Sequence, residues 1–169
     1  MHPPTESEPV AIAACTLHAW VRGIVELGRI RRLSDLLNHA GTTHLTLVDG
    51  EVLPFGSREW PRSRPRLYLN KADVLFLHPT ASGDVPRSLP GLVVDKIPVA
   101  VGLYVGDYHI EGSLHLVDRL PWEEYLNVLR DRFLILTDAT VTRAVSGEEV
   151  ARVGFVGVNR EHLSVLYEV

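Results

Sequence analysis

Apolar and polar residues alternate along much of the chain, a pattern typical of β-strands with one buried face. The alternation is clearest in YHIEGSLHL, residues 108–116, which follows the apolar segment PVAVGLYVG, residues 98–106. Glycine and aspartate favour tight turns, so Gly106 and Asp107 predict the connection between these two strands.

Two further segments predict strands that run into a turn. They are HLTLVDGEV, residues 44–52, and FLILTDATV, residues 133–141. In the first segment Asp49-Gly50 is a strong signal for a short β-hairpin, because both residues readily adopt positive φ.

The spacing of apolar residues changes to three or four in RIRRLSDLLNHAG, residues 29–41, and in DRLPWEEYLNVLR, residues 118–130. This period predicts one short helix in each segment. Asn38 and Asn127 stand near the expected helix ends, where asparagine tolerates the left-handed conformation that stops a helix.

The last predicted strands come in pairs with a hinge between them. RLYLNKADVLFLHP, residues 66–79, is hinged at Asn70-Lys71, and VGFVGVNREHLSVLYEV, residues 153–169, is hinged at Asn159-Arg160. An asparagine beside a basic residue interrupts each apolar run, which is typical of a tight turn between strands.

The chain matches itself when it is shifted by 89 positions. Residues 10–80 then align with residues 99–169 over 71 columns without a gap, and fourteen columns are identical. Chance would give about four identities at average residue usage. The identical pairs include Gly23/Gly112, Asp49/Asp138 and Asn70/Asn159. We therefore predict a tandem duplication of one module.

The predicted organisation is a flexible acidic N-terminus (1–9), a first β-rich repeat (10–80), a linker rich in Gly, Pro and Ser (81–98) and a second repeat (99–169). The predicted fold class is mainly β with one short helix per repeat (α+β). Each repeat is expected to form a five- to six-stranded sheet or partly closed barrel, because so small a sheet leaves edges to cover. The repeats are expected to form a pseudo-two-fold pair.

The order of phrases in the second repeat resembles the Sm-like fold. V-A-V-G-L-Y-V-G-D-Y-H-I-E-G-S-L precedes F-L-I-L-T-D-A, and V-G-F-V-G-V-N-R and a last strand follow. The family likewise has two long strands with a glycine in the second, a third strand ending in L-x-D-A, and a tight basic turn before the last strand. Its helix precedes the first strand, whereas here the predicted helix follows the second. RRLSDLLN and FLILTDATV are also similar to phrases of uncharacterised bacterial proteins assigned only to domains of unknown function.

The Sm-like resemblance implies RNA-contacting turns near Asn38 and Asn127, at Asn70-Lys71 and at Asn159-Arg160. An asparagine amide offers a donor and an acceptor to a base edge, and a neighbouring lysine or arginine can bind phosphate or stack on a base. From the residues alone, each asparagine also fits a helix cap or a hairpin turn, which is the more common role.

The formal charge of −4 argues against a dedicated nucleic-acid binder, but the charge is unevenly distributed. Residues 10–80 contain nine basic and six acidic residues (+3), whereas residues 99–169 contain six and eleven (−5). A basic and an acidic repeat can attract one another between molecules, and head-to-tail contacts of this kind can close a ring.

Arginines cluster around a tryptophan in the first repeat, at Arg58, Trp60, Arg62 and Arg64. This segment could contact a partner protein, or it could hold a phosphate backbone while Trp60 stacks on a base. It could equally be a solvated, proline-rich loop without a ligand.

No pattern of catalytic or metal-binding residues stands out. Cys15, the only cysteine, lies in an apolar run and is expected to be a buried, unreactive thiol. In H-x-E-x-S-x-H, residues 109–115, four polar side chains would share one strand face, but His109 and His115 would lie roughly 20 Å apart, too far to bind one metal ion. Nucleotide-binding and hydrolase motifs are absent. We expect neither enzymatic activity nor a cofactor or metal.

No apolar run approaches the roughly 20 residues that cross a bilayer, and the N-terminal residues lack the features of a secretion signal. We therefore expect a cytoplasmic protein without membrane contact. The sequence favours a non-enzymatic binding or assembly protein that associates with itself or with a protein partner. RNA binding is the first alternative, and a small-molecule or metal-dependent activity in a cleft between the repeats is the second.

Overall fold

A computed structural model describes residues 8–59, 61–80, 96–117 and 120–169. The chain divides into two compact units, Met1–Ser82 and Gly83–Val169. Both units consist mainly of antiparallel strands, so the prediction of a mainly β protein is confirmed. Trp60 and most of the predicted linker lie outside the described residues.

The first unit contains five strands and one short helix. In chain order they are β1 (Val10–Thr16), β2 (Ala19–Val25), α1 (Leu33–Asn38), β3 (His44–Pro54), β4 (Arg62–Asn70) and β5 (Val74–Pro79). A single 3-10 turn, Lys71–Asp73, joins β4 to β5. The strands pair in the order β5-β1-β2-β3-β4.

The second unit contains β6 (Ile97–Val105), β7 (Tyr108–Leu116), α2 (Trp122–Val128), β8 (Phe133–Arg143), β9 (Glu149–Asn159) and β10 (Leu163–Glu168). A 3-10 turn, Arg160–His162, joins β9 to β10. The strands pair in the order β10-β6-β7-β8-β9. Strands β6 and β7 form the hairpin that the sequence predicts, with Gly106 at φ 55° in its turn.

Corresponding elements of the two units lie 89 positions apart. Helix α2 begins 89 residues after α1, and the bounds of β3, of the first 3-10 turn and of β5 recur with the same offset at β8, the second 3-10 turn and β10. The strand order is also the same. Both units therefore follow one succession of elements.

The buried positions follow the alternation of the sequence. In β7, Ile110, Leu114 and Leu116 are buried, as predicted. In α1, Leu33 and Leu37 are buried four residues apart, whereas no residue of α2 is buried. Because burying one leucine contributes about 2 kcal/mol to stability, packing holds α1 more firmly than α2.

Asp49 and Asp138 lie within continuous strands, so the predicted hairpin turn at Asp49-Gly50 is wrong. Strand β3 runs through Asp49 and β8 runs through Asp138 without interruption. Both aspartates have a φ of 50°, and no other non-glycine residue in the described ranges has positive φ. Each aspartate therefore bends a strand instead of reversing the chain.

A β-bulge accounts for this bend in both units. Across β2 and β3, Arg22 pairs with Glu51 and Ile24 with Val48, so Gly23 alone faces two residues of β3. The same shift surrounds Gly112 of β7. A Cβ on Gly23 would lie 3.0 Å from Leu47 Cβ, and one on Gly112 would lie 3.0 Å from Thr137 O. The close approach of the bulged strand requires glycine at both positions.

Helix α1 ends at Asn38 and α2 ends one residue after Asn127, so the helix ends predicted near these asparagines are confirmed. The left-handed conformation expected at Asn38 and Asn127 is wrong, because neither residue has positive φ. The residues that follow α1 and α2 in the cap position, His39 and Leu129, have φ values of −67° and −63° and extended backbone. The last carbonyl groups of a helix need other partners in that case. Side chains from distant turns supply them.

Candidate functional site

Lys71 follows β4, and its ammonium group reaches the C-terminal end of α1. Nζ lies 2.6 Å from the carbonyl oxygen of Leu36, 3.3 Å from that of His39 and 2.7 Å from Thr42 Oγ1. Lys71 is only 1% exposed. An ammonium group has three N–H donors, and these three contacts use all of them. Its charge also stabilises the negative end of the helix dipole.

Arg160 has the corresponding place in the second unit. It follows β9, and its Nη1 donates to the carbonyl oxygen of Leu126, at 3.5 Å, and to that of Leu129. Arg160 is half-buried. In each unit, a basic residue after the fourth strand therefore ties that turn to the end of the short helix.

This contact brings together the residues that the Sm-like resemblance groups as RNA-contacting turns. Asn38 lies between Leu36 and His39, whose carbonyl groups bind Lys71. Asn127 likewise lies between Leu126 and Leu129, whose carbonyl groups bind Arg160. Asn127 is exposed, whereas Asn38 is half-buried. RNA contact at these turns stays a prediction, and in the first unit the ammonium of Lys71 already has protein partners.

The other two asparagines form local hydrogen bonds. Oδ1 of Asn70 accepts from the N–H of Ala72, and Oδ1 of Asn159 accepts from the N–H of Glu161, each at 3.0 Å. Asn70 Nδ2 also donates to Asp73 at 3.3 Å. Both side chains therefore begin the 3-10 turns, the structural role that asparagine often has at such positions.

Strand β4 carries a row of exposed side chains, which we call the arginine row: Arg62, Arg64, Arg66 and Tyr68. Alternate residues of a strand point to the same face, so the four lie together. Arg62 pairs with Glu59 at 3.0 Å. Arg64 Nη1 donates to the carbonyl oxygen of Ser63 at 2.8 Å. The row concentrates positive charge at one edge of the first unit.

Arg58 of the predicted arginine segment lies before this row. Arg58 is exposed there, and Trp60 lies outside the described residues. A shallow pocket of about 440 Å³ next to the row is lined by Asp49, Glu51, Ser63, Arg64 and Pro65. Its two carboxylates would repel a phosphate, so an anion would contact the row itself and not this pocket.

Three rings gather on an exposed face of the second unit. The ring centroids of Tyr104 in β6 and His109 in β7 are 4.7 Å apart, and Tyr167 of β10 lies parallel to His109 at 6.1 Å. His109 Nε2 lies 2.8 Å from Tyr167 Oη and 3.8 Å from Glu111 Oε1. We call Tyr104, His109, Glu111 and Tyr167 the Tyr–His cluster.

Gly102 makes room for Tyr167 in this cluster. It pairs with Tyr167 on one side and with Glu111 on the other. A Cβ on Gly102 would lie 2.3 Å from Tyr167 Cζ, so the ring covers the glycine. Partial desolvation, followed by the charges of Glu111 and Tyr104, raises the pKa of Tyr167. The hydroxyl therefore stays protonated at neutral pH and can hydrogen-bond with His109.

Sequence reasoning missed Tyr104 and Tyr167. The aligned residues of the first unit are Cys15 and His78, so the two units share no signal at these positions. The available clue was Gly102 in an apolar strand, because a glycine there often marks a close approach of another group.

The H-x-E-x-S-x-H segment does not form a single site. His109 and Glu111 belong to the Tyr–His cluster, whereas His115 Nε2 lies 2.7 Å from Thr137 Oγ1 of β8. Among the described residues, no group of three or more His, Cys, Asp or Glu side chains could hold a metal ion. Cys15 is fully buried, as predicted. In the parts of the chain that the structure describes, no helix has the length and apolar character needed to cross a membrane.

Strands β4 and β10 are far more exposed than their counterparts. Tyr68 in β4 is 68% exposed, whereas Gly157 at the aligned position of β9 is buried. Val165 in β10 is 50% exposed, whereas Phe76 in β5 is completely buried. Within the described sheet pairings, β4 pairs only with β3 and β10 only with β6. Among the described residues, one backbone edge of each of these two strands therefore has no strand paired with it.

Comparisons with known proteins add no family to this geometry. A scan against protein-family models gives no match, and searches of curated proteins and of solved structures give none either. Function therefore has to be inferred from the geometry of the two units.

Proposed function

We propose that this protein is a non-enzymatic assembly module whose molecules associate head to tail through strands β4 and β10. The observation that carries the proposal is the exposure of these two edge strands. An open edge offers a row of backbone donors and acceptors to another strand. Pairing β4 of one molecule with β10 of another would satisfy both rows.

Charge favours contact between unlike edges. Strand β4 carries the arginine row, whereas β10 carries Glu168 and lies near Glu111. Opposite charges speed the encounter of two proteins and select its register. A contact between two different surfaces of the same chain continues from molecule to molecule until a ring closes or a filament forms.

The proposal includes a tandem duplication of one Sm-like module. It is supported by the common strand order, by the bulges opposite Gly23 and Gly112, and by the basic residues at the two helix ends, Lys71 and Arg160. The fourth strands of the two copies are β4 and β9, and the fifth strands are β5 and β10. Of these four, β4 and β10 are the exposed ones.

The particle mass in solution tests the proposal. Sedimentation velocity over a range of micromolar concentrations should give masses that are multiples of the chain mass. High salt should shift the distribution towards single chains, because it screens charges at the contact. A single chain at every concentration in low salt would contradict the proposal.

A proline in β4 tests whether backbone pairing forms the contact. Just beyond β4, the N–H of Lys71 donates to the carbonyl oxygen of Thr43, the residue before β3. Donors alternate along an antiparallel strand, so the N–H of Tyr68 points away from β3. Tyr68→Pro removes this outward donor, whereas the control Tyr68→Ser removes the ring and keeps the donor. We expect the proline to weaken association at least about tenfold more than the serine. Equal effects would contradict strand pairing.

RNA binding is a second candidate, supported by the exposed guanidinium groups and the ring of the arginine row. Such a combination can contact phosphates and stack on a base. Labelled single-stranded RNA should then bind with an affinity that falls steeply with salt. The double variant Arg64→Gln/Arg66→Gln should bind less RNA than the control Arg29→Gln/Arg31→Gln, and equal binding would exclude the row as the RNA site.

A further inference from the structure

We propose that the Tyr–His cluster is a binding site for a guanidinium group, and that its ligand is Arg64 or Arg66 of a second copy of this chain. The inference rests on the proposed head-to-tail association. It adds a defined side-chain contact, and with it a direction, to the pairing of two strand edges.

The Tyr–His cluster has the features that bind an arginine. Tyr104 and Tyr167 present partly exposed rings, and a guanidinium group is attracted to the face of such a ring. Glu111 stands beside them with more than half of its side chain exposed. A carboxylate can accept two parallel hydrogen bonds from one guanidinium group. The only ion-pair partner of Glu111 among the described residues is His109.

Arg64 and Arg66 are suitable ligands. Both are exposed on β4, and neither forms an ion pair with a carboxylate among the described residues, whereas Arg62 already pairs with Glu59. A planar guanidinium group is also more weakly hydrated than an ammonium group, so less solvation is lost when it moves onto a ring.

Each molecule carries the two surfaces once. The residues of the first unit that align with the Tyr–His cluster are Cys15, Trp20, Arg22 and His78. Arg22 replaces Glu111 there, so the first unit has no comparable acceptor for a cation. In the second unit, Val153 and Phe155 replace Arg64 and Arg66. The contact is therefore directional, from the first unit of one molecule to the second unit of the next.

Position in the sheets agrees with this contact. Tyr167 lies on β10, the edge strand of the second unit, and the arginines lie on β4, the edge strand of the first. These are the two edges that the proposed association joins. Side chains on adjacent paired strands lie about 5 Å apart, within reach of an arginine and a tyrosine.

Two charge-reversed variants test the inference by complementation. Glu111→Arg destroys the acceptor but keeps the arginine row, whereas Arg64→Glu/Arg66→Glu destroys the row but keeps the acceptor. Each variant alone should associate at least about tenfold more weakly than the wild type. A mixture of the two retains the contact between the wild-type row and the wild-type acceptor, and it also places the introduced glutamates of one variant against the introduced arginine of the other. The mixture should therefore associate more strongly than either variant alone.

Matched controls change the same charges elsewhere on the same units. Glu123→Arg and Arg29→Glu/Arg31→Glu alter exposed residues, and they should associate like the wild type. Circular dichroism should show that all variants keep the wild-type fold. A mixture that stays monomeric, or controls that lose association to the same degree, would overturn the inference.

The association state of the wild type distinguishes a failure of this inference from a failure of the proposed function. A monomeric wild type overturns both. A wild type that associates while the charge-reversed variants keep its mass overturns only the arginine contact. Tyr167→Phe adds a further check, because it keeps the ring and should associate within about twofold of the wild type, whereas Tyr167→Ser should lose about fivefold or more.

Discussion

Strands β5 and β10 have the same place in their units but opposite surroundings. In β5 the first four residues, V-L-F-L, are all buried, whereas β10 begins L-S-V-L and none of its residues is buried. A continuous apolar run is typical of a strand covered on both faces, and interruption by polar residues is typical of an exposed one. The residue types of the two strands therefore already indicate the difference in exposure.

The fourth strands differ in the same way. Arg64, Arg66 and Tyr68 of β4 are exposed, whereas the aligned Phe155 and Gly157 of β9 are buried. The exposed strand of each pair carries charged or amphipathic side chains that water or a partner can meet. Strands at corresponding places in the two units can therefore have different roles, one in the core and the other at the surface.

The largest expected effect is the difference in the free energy of unfolding between alanine substitutions at Phe76 and at Val165. Phe76→Ala leaves a cavity in a fully buried site and removes the edge-to-face contact with Trp20, so it should lower the free energy of unfolding by about 3–5 kcal/mol. Val165→Ala should cost less than about 0.5 kcal/mol in the unassociated chain. Urea denaturation at a concentration where the chain is monomeric measures both. Similar losses would mean that β5 and β10 are equally buried.

A smaller effect distinguishes Lys71 from Arg160. Lys71→Met keeps the volume but leaves two partly buried carbonyl groups without this donor, so we expect a loss of about 2–3 kcal/mol. Arg160→Met should lose about 1 kcal/mol, because α2 is more exposed and water can replace the guanidinium group. Thermal unfolding of both variants measures the difference. A greater loss for Arg160→Met would show that the end of α2 is the more firmly held.

The smallest expected effect concerns two tyrosines of the second unit, whose aligned residues in the first unit are Leu36 and His78. Burial and then Asp131 raise the pKa of Tyr125, and desolvation and Glu111 raise that of Tyr167. The folded chain holds these protons more tightly than the unfolded one, so stability should fall as pH rises above about 10. Ultraviolet titration should show late ionisation that Tyr125→Phe and Tyr167→Phe each reduce. Unchanged titration curves in both variants would contradict the raised pKa values.

Local sequence pattern predicted the strands and failed at the bends. The alternation in β7 and the turn at Gly106 were predicted correctly, because both depend on neighbouring residues. Asp49-Gly50 was misread, since the same tolerance of positive φ serves a hairpin turn and a bulge. Only the pairing of β3 with β2, which continues on both sides of Asp49, distinguishes the bulge from a hairpin turn.

The candidate surfaces were predicted in part for the same reason. The exposure of Arg62 and Arg64 follows from a run of charges and prolines within one strand. The ammonium group of Lys71 contacts the carbonyl oxygen of Leu36, 35 residues earlier in the chain, and only the tertiary fold brings the two residues together. The Tyr–His cluster combines three strands, so no segment of the sequence contains its pattern.

The burial of Lys71 gives the protein an internal chemical reporter. The chain has only two lysines, and the other one, Lys96, is exposed. An acylating reagent should therefore modify the Lys96 amine of the native protein at once and spare Lys71. Any acylation of Lys71 then measures how often the end of α1 separates from the turn after β4, with Lys96 as the reference in the same molecule.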